Sequence, residues 1–277
     1  MRFGERVNLH THTVRCGHAE GALEEYCREA VKQGISVLGF SDHAPFPDGR
    51  FSDSRMDFSE LPEYLADLSR MRRMFPGLVI LAGAEVDFVP SLGRAFYDEV
   101  CSAKNGFDYR ILGPHFTDPP HCDAPPLSME HARSYTELMT EAMATGLFDY
   151  VAHPDMFTAR YPRWTPELRA FAIELAEASK AFDVPFEINA YGLRKPWMET
   201  PEGMRPQFPW CFFWVVMAEY GVRMVVGADA HRPADVWGNT DDAVAFGAEF
   251  GLVPENAAVA EAIIRRKRQE VSWFCCS

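Results

Sequence analysis

A short apolar segment, a polar loop and an amphipathic helix follow one another repeatedly along the chain, and this order constrains the fold more than any other feature. Seven apolar segments are predicted to be strands: residues 6–10, 37–41, 79–84, 109–113, 150–152, 185–189 and 223–227. Strands that are apolar almost throughout are typical of a parallel sheet covered by helices on both faces. Seven units without an obvious reversal favour a closed barrel over an open sheet. The sequence therefore predicts an α/β protein with a TIM-like barrel.

Helices are predicted between the strands from apolar residues at helical spacing. Their expected spans are residues 23–31, 61–74, 91–104, 128–145, 166–182, 209–220, 235–249 and 255–267. Thr165 followed by Pro166 is typical of a helix N-cap and first helical position. The chain has 277 residues, of which 47% are hydrophobic, and this is enough for one sizeable core.

Histidines are concentrated where the predicted strands end. The chain has nine histidines, and seven of them lie at or just after the carboxyl end of a strand: His10, His12, His18, His43, His115, His153 and His231. His10 and His12 are two residues apart, so on extended backbone their rings point the same way. In parallel barrels the chemistry lies at the carboxyl ends of the strands. The spacing therefore predicts a functional site at this rim.

Two acidic residues join the histidines at the same rim. Glu85 follows the third predicted strand and Asp229 follows the seventh. Seven imidazoles and two carboxylates are too many ligands for one tetrahedral metal site. They suit a cluster of two or three metals, because carboxylates can bridge neighbouring ions in metal-dependent hydrolases. The residues alone thus predict a multinuclear metal hydrolase.

Composition argues against several other classes of protein. The formal net charge of −13 disfavours binding to the phosphates of nucleic acids. No apolar run reaches the roughly 18 residues of a membrane span, and the first residues lack the apolar stretch of a signal peptide. Seven cysteines without CxxC spacing suit a reducing compartment. We expect a cytoplasmic protein with neither nucleic acid nor membrane as partner, and its oligomeric state is left open.

Several short motifs together resemble a known family. They are His-Thr-His-Thr at 10–13, Cys-Gly-His at 16–18, Gly-Phe-Ser-Asp-His at 39–43, Gly-Ala-Glu at 83–85, His-Phe at 115–116, Ala-His-Pro-Asp at 152–155 and Gly-Ala-Asp-Ala-His-Arg-Pro at 227–233. The combination resembles the polymerase and histidinol phosphatase (PHP) family, and most closely its histidinol-phosphatase branch. The resemblance covers nearly the whole chain. It implies one domain over residues 1–277, folded as a distorted (β/α)7 barrel that holds three metals.

The resemblance also implies how the ligands are divided among three divalent ions. The first site would consist of His10, His12, Glu85 and Asp229. Glu85 would bridge to a second site with His115 and His153, and a third site would consist of His18, His43 and His231. Mixed imidazole and carboxylate ligands fit zinc, iron or manganese. Within this set, Glu85, His43, His231 and Asp229 are the expected catalytic residues.

The activity implied by this resemblance is the hydrolysis of a phosphomonoester. Bound metals lower the pKa of water and neutralise phosphate oxygens, so we expect a metal-bridging hydroxide to attack phosphorus. The expected substrate is L-histidinol phosphate, an intermediate of histidine biosynthesis, which would give L-histidinol and phosphate. Arginine pairs well with phosphate oxygens, and matching segments of the histidinol phosphatases assign phosphate binding to Arg160 and Arg194.

Other interpretations stay open at this point. A PHP phosphoesterase acting on another small phosphate ester or on a nucleotide would share the same metal ligands. An amidohydrolase-type enzyme also begins with His-x-His on a barrel, and a metal-binding module without activity is a third possibility. Substrate contacts are expected from Tyr191, Trp197 and the loop that carries Phe116, Asp118 and Asp123. Asp42 and Asp155 are candidates to orient metal ligands.

Overall fold

The computed structural model describes residues 6–100, 105–115 and 128–274, and seven of its strands form one parallel sheet in chain order. The strands are β1 (Val7–Asn8), β2 (Val37–Phe40), β3 (Val79–Val86), β4 (Tyr109–Leu112), β5 (Tyr150–Val151), β6 (Phe186–Asn189) and, after a separate hairpin, β9 (Met224–Gly227). All six neighbouring pairs are parallel. The predicted order of strands is therefore confirmed.

The first and last strands of the sheet meet just beyond their carboxyl ends. The His12 amide donates to the Ala230 carbonyl at 2.9 Å, and the Ala230 amide donates to the His10 carbonyl at 3.3 Å. Thr11 and Ala230 form a parallel bridge in this way. The barrel is thus nearly closed, and the closing contact lies beside the histidines that the sequence assigns to a metal site. This confirms the predicted TIM-like barrel of seven strands.

Helices surround the sheet, and most of them lie within or close to a predicted span. They are α1 (Leu23–Lys32), α2 (Leu61–Met74), α3 (Gly93–Val100), α4 (Met129–Ala144), α5 (Pro166–Phe182), α6 (Ala190–Arg194), α7 (Cys211–Glu219), α8 (Thr240–Ala248) and α9 (Asn256–Phe274). The Thr165 side chain accepts a hydrogen bond from the Leu168 amide, as expected of an N-cap. Among the described residues, none of the helices has the length and apolar character needed to cross a membrane.

Several stretches differ from the predicted elements, among them α6, which the sequence does not predict, and α9, which continues to Phe274 beyond its predicted end at residue 267. The helix expected over 91–104 begins as a 3-10 turn, Pro90–Leu92, and continues as α3, while residues 101–104 lie outside the described residues. The helix expected over 235–249 is a 3-10 turn, Pro233–Asp235, followed by α8. A small antiparallel hairpin, β7 (Met198–Thr200) with β8 (Gly203–Arg205), follows α6 and is not predicted from the sequence, because each strand has three residues and no apolar run.

The interior of the barrel is filled by a ring of large side chains below the rim. Tyr109 extends across it, and its hydroxyl donates to the Leu9 carbonyl at 2.6 Å. A Cβ at Gly39 would lie 2.2 Å from the Tyr109 hydroxyl, and a Cβ at Gly83 would lie 2.2 Å from its ring. The two glycines therefore make room for the tyrosine. Helix α9 covers the opposite end of the barrel from the rim by packing Val259 and Ile263 against this interior cluster.

Candidate metal centre

All nine side chains predicted to bind metal lie together at the carboxyl ends of the barrel strands. Eight of them line one cavity of roughly 570 Å³: His12, His18, His43, Glu85, His115, His153, Asp229 and His231. His10 lies directly below this cavity, with its ring in contact with that of His12. Strand β3 runs to Val86, two residues further than predicted, so Glu85 projects from ordered strand rather than from a loop.

The first group of side chains surrounds one oxygen of each carboxylate. The Nε2 atoms of His10 and His12 lie 3.4 and 3.3 Å from Glu85 Oε2. They lie 3.6 and 3.2 Å from Asp229 Oδ1. These four residues are the first predicted site. All four are buried, and their ligand atoms face a common point.

The second group uses the other oxygen of Glu85. Its Oε1 lies 3.0 Å from His153 Nε2 and 3.4 Å from His115 Nε2. His43 Nδ1 approaches the Oε2 atom at 3.2 Å. One carboxylate thus faces two separate groups of imidazoles, which is the arrangement expected of a bridging ligand.

The third group is more open to the cavity. The ring centroids of His18 and His231 are 4.8 Å apart, and those of His18 and His43 are 5.8 Å apart. The Nδ1 atoms of His18 and His231 lie 2.8 Å from the Cys16 carbonyl and 3.1 Å from the Asp229 carbonyl. Since a carbonyl only accepts, each Nδ1 carries the proton and the Nε2 lone pair is free for a ligand.

The electrostatics of the site favour bound cations. Burial alone would raise the pKa of Glu85, but His115, His10 and His43 outweigh it and hold this pKa well below its usual value. Burial would also raise the pKa of Asp229, but its histidine neighbours outweigh this effect and hold the pKa well below its usual value. Glu85 Oε2 and Asp229 Oδ1 are nevertheless buried without a hydrogen-bond partner among the described residues. Such oxygens are costly unless an ion or donor satisfies them, so the donor set fits divalent metals.

The pKa values of several rim histidines are shifted in opposite directions. Burial lowers the pKa of His231 to about 3 and that of His43 well below its usual value, so both rings are neutral near pH 7. Burial would also lower the pKa of His12, but the neighbouring carboxylates of Asp229 and Glu85 raise it to about 9. A metal that binds at His12 must therefore displace a proton.

Two of the predicted ligands have backbone torsion angles in the left-handed region. His153 has φ of 30° and Asp229 has φ of 46°. Non-glycine residues adopt such angles at a cost of order 1–3 kcal/mol, and they persist where the surroundings fix them. Each of them is the second residue after a barrel strand: His153 follows Ala152 beyond β5, and Asp229 follows Ala228 beyond β9. In these conformations His153 Nε2 lies 3.0 Å from Glu85 Oε1, and Asp229 Oδ1 lies 3.2 Å from His12 Nε2.

Comparisons with known proteins agree with this geometry. Residues 8–191 match the PHP domain family. The chain is also 31% identical over 247 residues to a "probable histidinol-phosphatase" of Deinococcus radiodurans, an alignment that covers 85% of this chain and 90% of the relative. The chain belongs to the PHP domain family.

Two further relatives of this PHP protein show how widely the resemblance extends. A "probable phosphatase" of Thermoanaerobacter is 25% identical over 93% of this chain and 89% of its own length. A histidinol phosphate phosphatase of Lactococcus lactis, solved with zinc, L-histidinol and phosphate, superposes with a TM-score of 0.67. That structure is 20% identical and covers 90% of this chain and 95% of its own. At that identity the likeness shows the fold.

The two arginines predicted to bind phosphate lie in different surroundings. Arg160 is exposed and lines the cavity. Arg194 donates to the carbonyls of Gly238 at 2.5 Å, Ala228 at 2.6 Å and Asp229 at 3.2 Å, and it is not among the described residues that line the cavity. Its neighbour Lys195 does line the cavity. Phosphate binding stays a prediction for both arginines, and the contacts of Arg194 indicate that it fixes the backbone beneath Asp229.

The two aspartates considered as orienting residues contact different partners. Asp42 accepts from the Thr13 amide at 2.8 Å and hydroxyl at 2.6 Å, and it lies 3.9 Å from His12 Nδ1. It thus holds the chain beside a predicted ligand. Asp155 accepts from the Trp210 amide and the Trp214 indole at the start of α7. Asp155 contributes to the packing of that helix, and burial raises its pKa to about 6.

Of the expected substrate contacts, Tyr191 lines the cavity. Trp197 is exposed and is not among the described lining residues. Phe116, Asp118 and Asp123 lie outside the described residues.

Two buried carboxylates behind the ligands were not predicted from the sequence. Glu187 lies in the middle of β6 and Asp87 directly follows β3. The available signal was a charged residue between Phe186 and Ile188 in an otherwise apolar strand. Such a residue is rarely buried without a specific partner, but the sequence alone does not identify that partner.

Proposed function

We propose that this PHP protein is a metal-dependent phosphomonoesterase that hydrolyses L-histidinol phosphate to L-histidinol and phosphate. The observation that carries the proposal is the position of Glu85, whose two oxygens face two groups of imidazoles at the rim. The names of the Deinococcus and Lactococcus proteins support the choice of substrate. Under this proposal the protein acts in histidine biosynthesis, in the cytoplasm.

The residues at the rim would hold three divalent ions in the division predicted above. His10, His12, Glu85 and Asp229 would hold the first ion. Glu85 would share the second with His115 and His153, while His18, His43 and His231 would hold the third. Such ions make water a better nucleophile near neutral pH and neutralise the oxygens of the phosphate. Glu85 would contribute one oxygen to each of the first two sites.

The protein's own side chains would bind and orient the ester. Arg160 and Lys195 line the cavity and would supply positive charge for the phosphate. Tyr191 and Phe208 supply aromatic faces on the same cavity, and such faces suit an imidazole ring. A cavity of roughly 570 Å³ suits a small phosphate ester.

The direct test is phosphate release from L-histidinol phosphate by zinc- or manganese-loaded protein, compared with a panel of sugar phosphates and nucleotides. We expect kcat/KM of at least ~10⁴ M⁻¹s⁻¹ for L-histidinol phosphate, well above the panel. Glu85→Gln should lose both metal and rate. If kcat/KM is low and similar for all the esters, the protein is a phosphoesterase but L-histidinol phosphate is not its substrate. Failure to hydrolyse any phosphomonoester would reject the phosphatase itself.

A further inference from the structure

Glu187 contacts two predicted metal ligands, His10 and His153, from beneath the rim, and Asn189 links it to a third, Asp229. Its Oε1 and Oε2 atoms lie 2.9 and 3.1 Å from His10 Nδ1. The Oε2 atom also accepts from the His153 amide at 3.2 Å and from the Asn189 side-chain amide at 2.9 Å. The same Asn189 amide donates to Asp229 Oδ2 at 3.2 Å. The carboxylate thus links side chains that follow β1, β5 and β9.

The contact with His10 determines which ring nitrogen can bind a metal. A carboxylate only accepts hydrogen bonds, so the Nδ1 atom that faces Glu187 carries the proton. The Nε2 lone pair then faces Glu85 and Asp229, at 3.4 and 3.6 Å. In many metal sites a carboxylate behind a histidine fixes the ring and its tautomer in this way, and its loss typically costs 10–100-fold in metal affinity.

The absence of a side chain at Gly227 leaves the space that the Glu187 carboxylate occupies. A Cβ at Gly227 would lie 1.7 Å from Glu187 Oε1 and 3.0 Å from the Cβ of His10. Any residue other than glycine at 227 would therefore displace the carboxylate from His10. The side chain of Glu187 is fully buried, so its contacts with donors replace all of its hydration.

Asp87 contacts a histidine of the second group of ligands, as Glu187 contacts His10 in the first group. Its Oδ1 accepts from the His115 amide at 3.0 Å and lies 3.3 Å from His115 Nδ1. Its Oδ2 accepts from the buried Arg55 guanidinium at 3.0 Å. By contrast, His153 Nδ1 has no hydrogen-bond partner among the described residues. In each of the first two groups, therefore, one histidine has a carboxylate beside its Nδ1 atom: His10 in the first and His115 in the second.

We infer that Glu187 and Asp87 are positioning residues, which hold His10 and His115 with the proton on Nδ1 and so set the affinity of the first and second metal sites. The inference rests on the proposed metal centre and extends it to residues that do not touch the metal or the substrate. It assigns Glu187 to the site of His10, His12, Glu85 and Asp229. It assigns Asp87 to the site shared by Glu85, His115 and His153.

The test measures metal binding rather than turnover. Zinc affinity and stoichiometry are measured for metal-free protein by competition with a chromophoric chelator, and the visible spectrum is recorded after loading with cobalt. The variants are Glu187→Gln and Asp87→Asn. Glu177→Gln, at an exposed position on α5, is the matched control. Far-ultraviolet circular dichroism checks that each variant is folded.

We expect each carboxylate variant to bind one zinc ion 10–100-fold more weakly than wild type, with a changed cobalt spectrum. The control should match wild type. If Glu187→Gln does not fold, Asp87→Asn tests the same inference at the other site. Wild-type affinity and an unchanged cobalt spectrum in the folded variants would overturn the inference, even if the wild-type protein hydrolyses L-histidinol phosphate. A wild-type protein that binds no zinc would overturn both proposals.

Discussion

Gly113 packs directly against two of the predicted ligands, Glu85 and His115. Replacing it with alanine tests whether these ligands tolerate a displacement. A Cβ at this position would lie 2.6 Å from Glu85 Cγ, 2.7 Å from Glu85 Oε1 and 2.7 Å from His115 Cε1. The Gly113 amide donates to the Val86 carbonyl at 3.0 Å, and its carbonyl accepts from the His115 amide at 3.0 Å. Because the backbone is fixed at both ends, we expect the two ligands to move instead.

The size of the effect follows from these distances. Carbon atoms pack at about 3.5–4.0 Å, so Glu85 and His115 must each shift by roughly 1 Å. Metal–ligand distances tolerate about 0.2 Å, and a 1 Å displacement in an active site costs on the order of 100-fold in rate, or about 2.7 kcal/mol. Overpacking of this kind lowers the free energy of unfolding by about 1–3 kcal/mol, so the protein should still fold.

The assay is zinc stoichiometry together with kcat/KM for L-histidinol phosphate, and thermal unfolding monitors the fold. Gly77→Ala is the control, because a Cβ there meets no atom within 4 Å. We expect Gly113→Ala to lose the metal shared by Glu85 and His115 and about 100-fold in kcat/KM, while Gly77→Ala keeps both. Full metal content and rate in folded Gly113→Ala would refute the packing argument.

Four further outcomes are expected. Arg160→Ala should raise KM about tenfold or more at unchanged Tm. Arg194→Ala should mainly lower the free energy of unfolding, by about 2–4 kcal/mol, because three carbonyls lose their donor. Asp53 is the only carboxylate on the described cavity lining besides Glu85 and Asp229, so Asp53→Asn should raise KM for L-histidinol phosphate, which carries an ammonium, but not for p-nitrophenyl phosphate. Chelation should lower Tm by about 10 °C, since ions at 1,000 times their Kd contribute about 4 kcal/mol.

The barrel could be predicted because its strands are short, apolar and separated by helices with clear caps. Helix α2 has the predicted bounds, and so does α5, which begins after the Thr165 cap. The sequence predicts the end of β3 two residues too early, because the charged Glu85 interrupts the apolar run that marks the strand. Its pairing with Ile111 continues the parallel register instead.

What could not be predicted depends on contacts between residues far apart in the chain. The partner of Glu187 is His10, 177 residues away. The carbonyls that hold Arg194 belong to residues 34 to 44 positions further along the chain. A sequence pattern shows that such a side chain has unusual surroundings but not which atoms supply them. The ligand histidines were easier to find, because each follows a recognisable strand and all strands end at the same rim.

The most direct test of the central claim is anomalous X-ray diffraction from crystals of the metal-loaded protein, recorded at the absorption edge of the bound metal. The account predicts three peaks at the rim: one beside His10, His12, Glu85 and Asp229, one beside Glu85, His115 and His153, and one beside His18, His43 and His231. No peak at the rim, or peaks only at surface residues elsewhere, would contradict it.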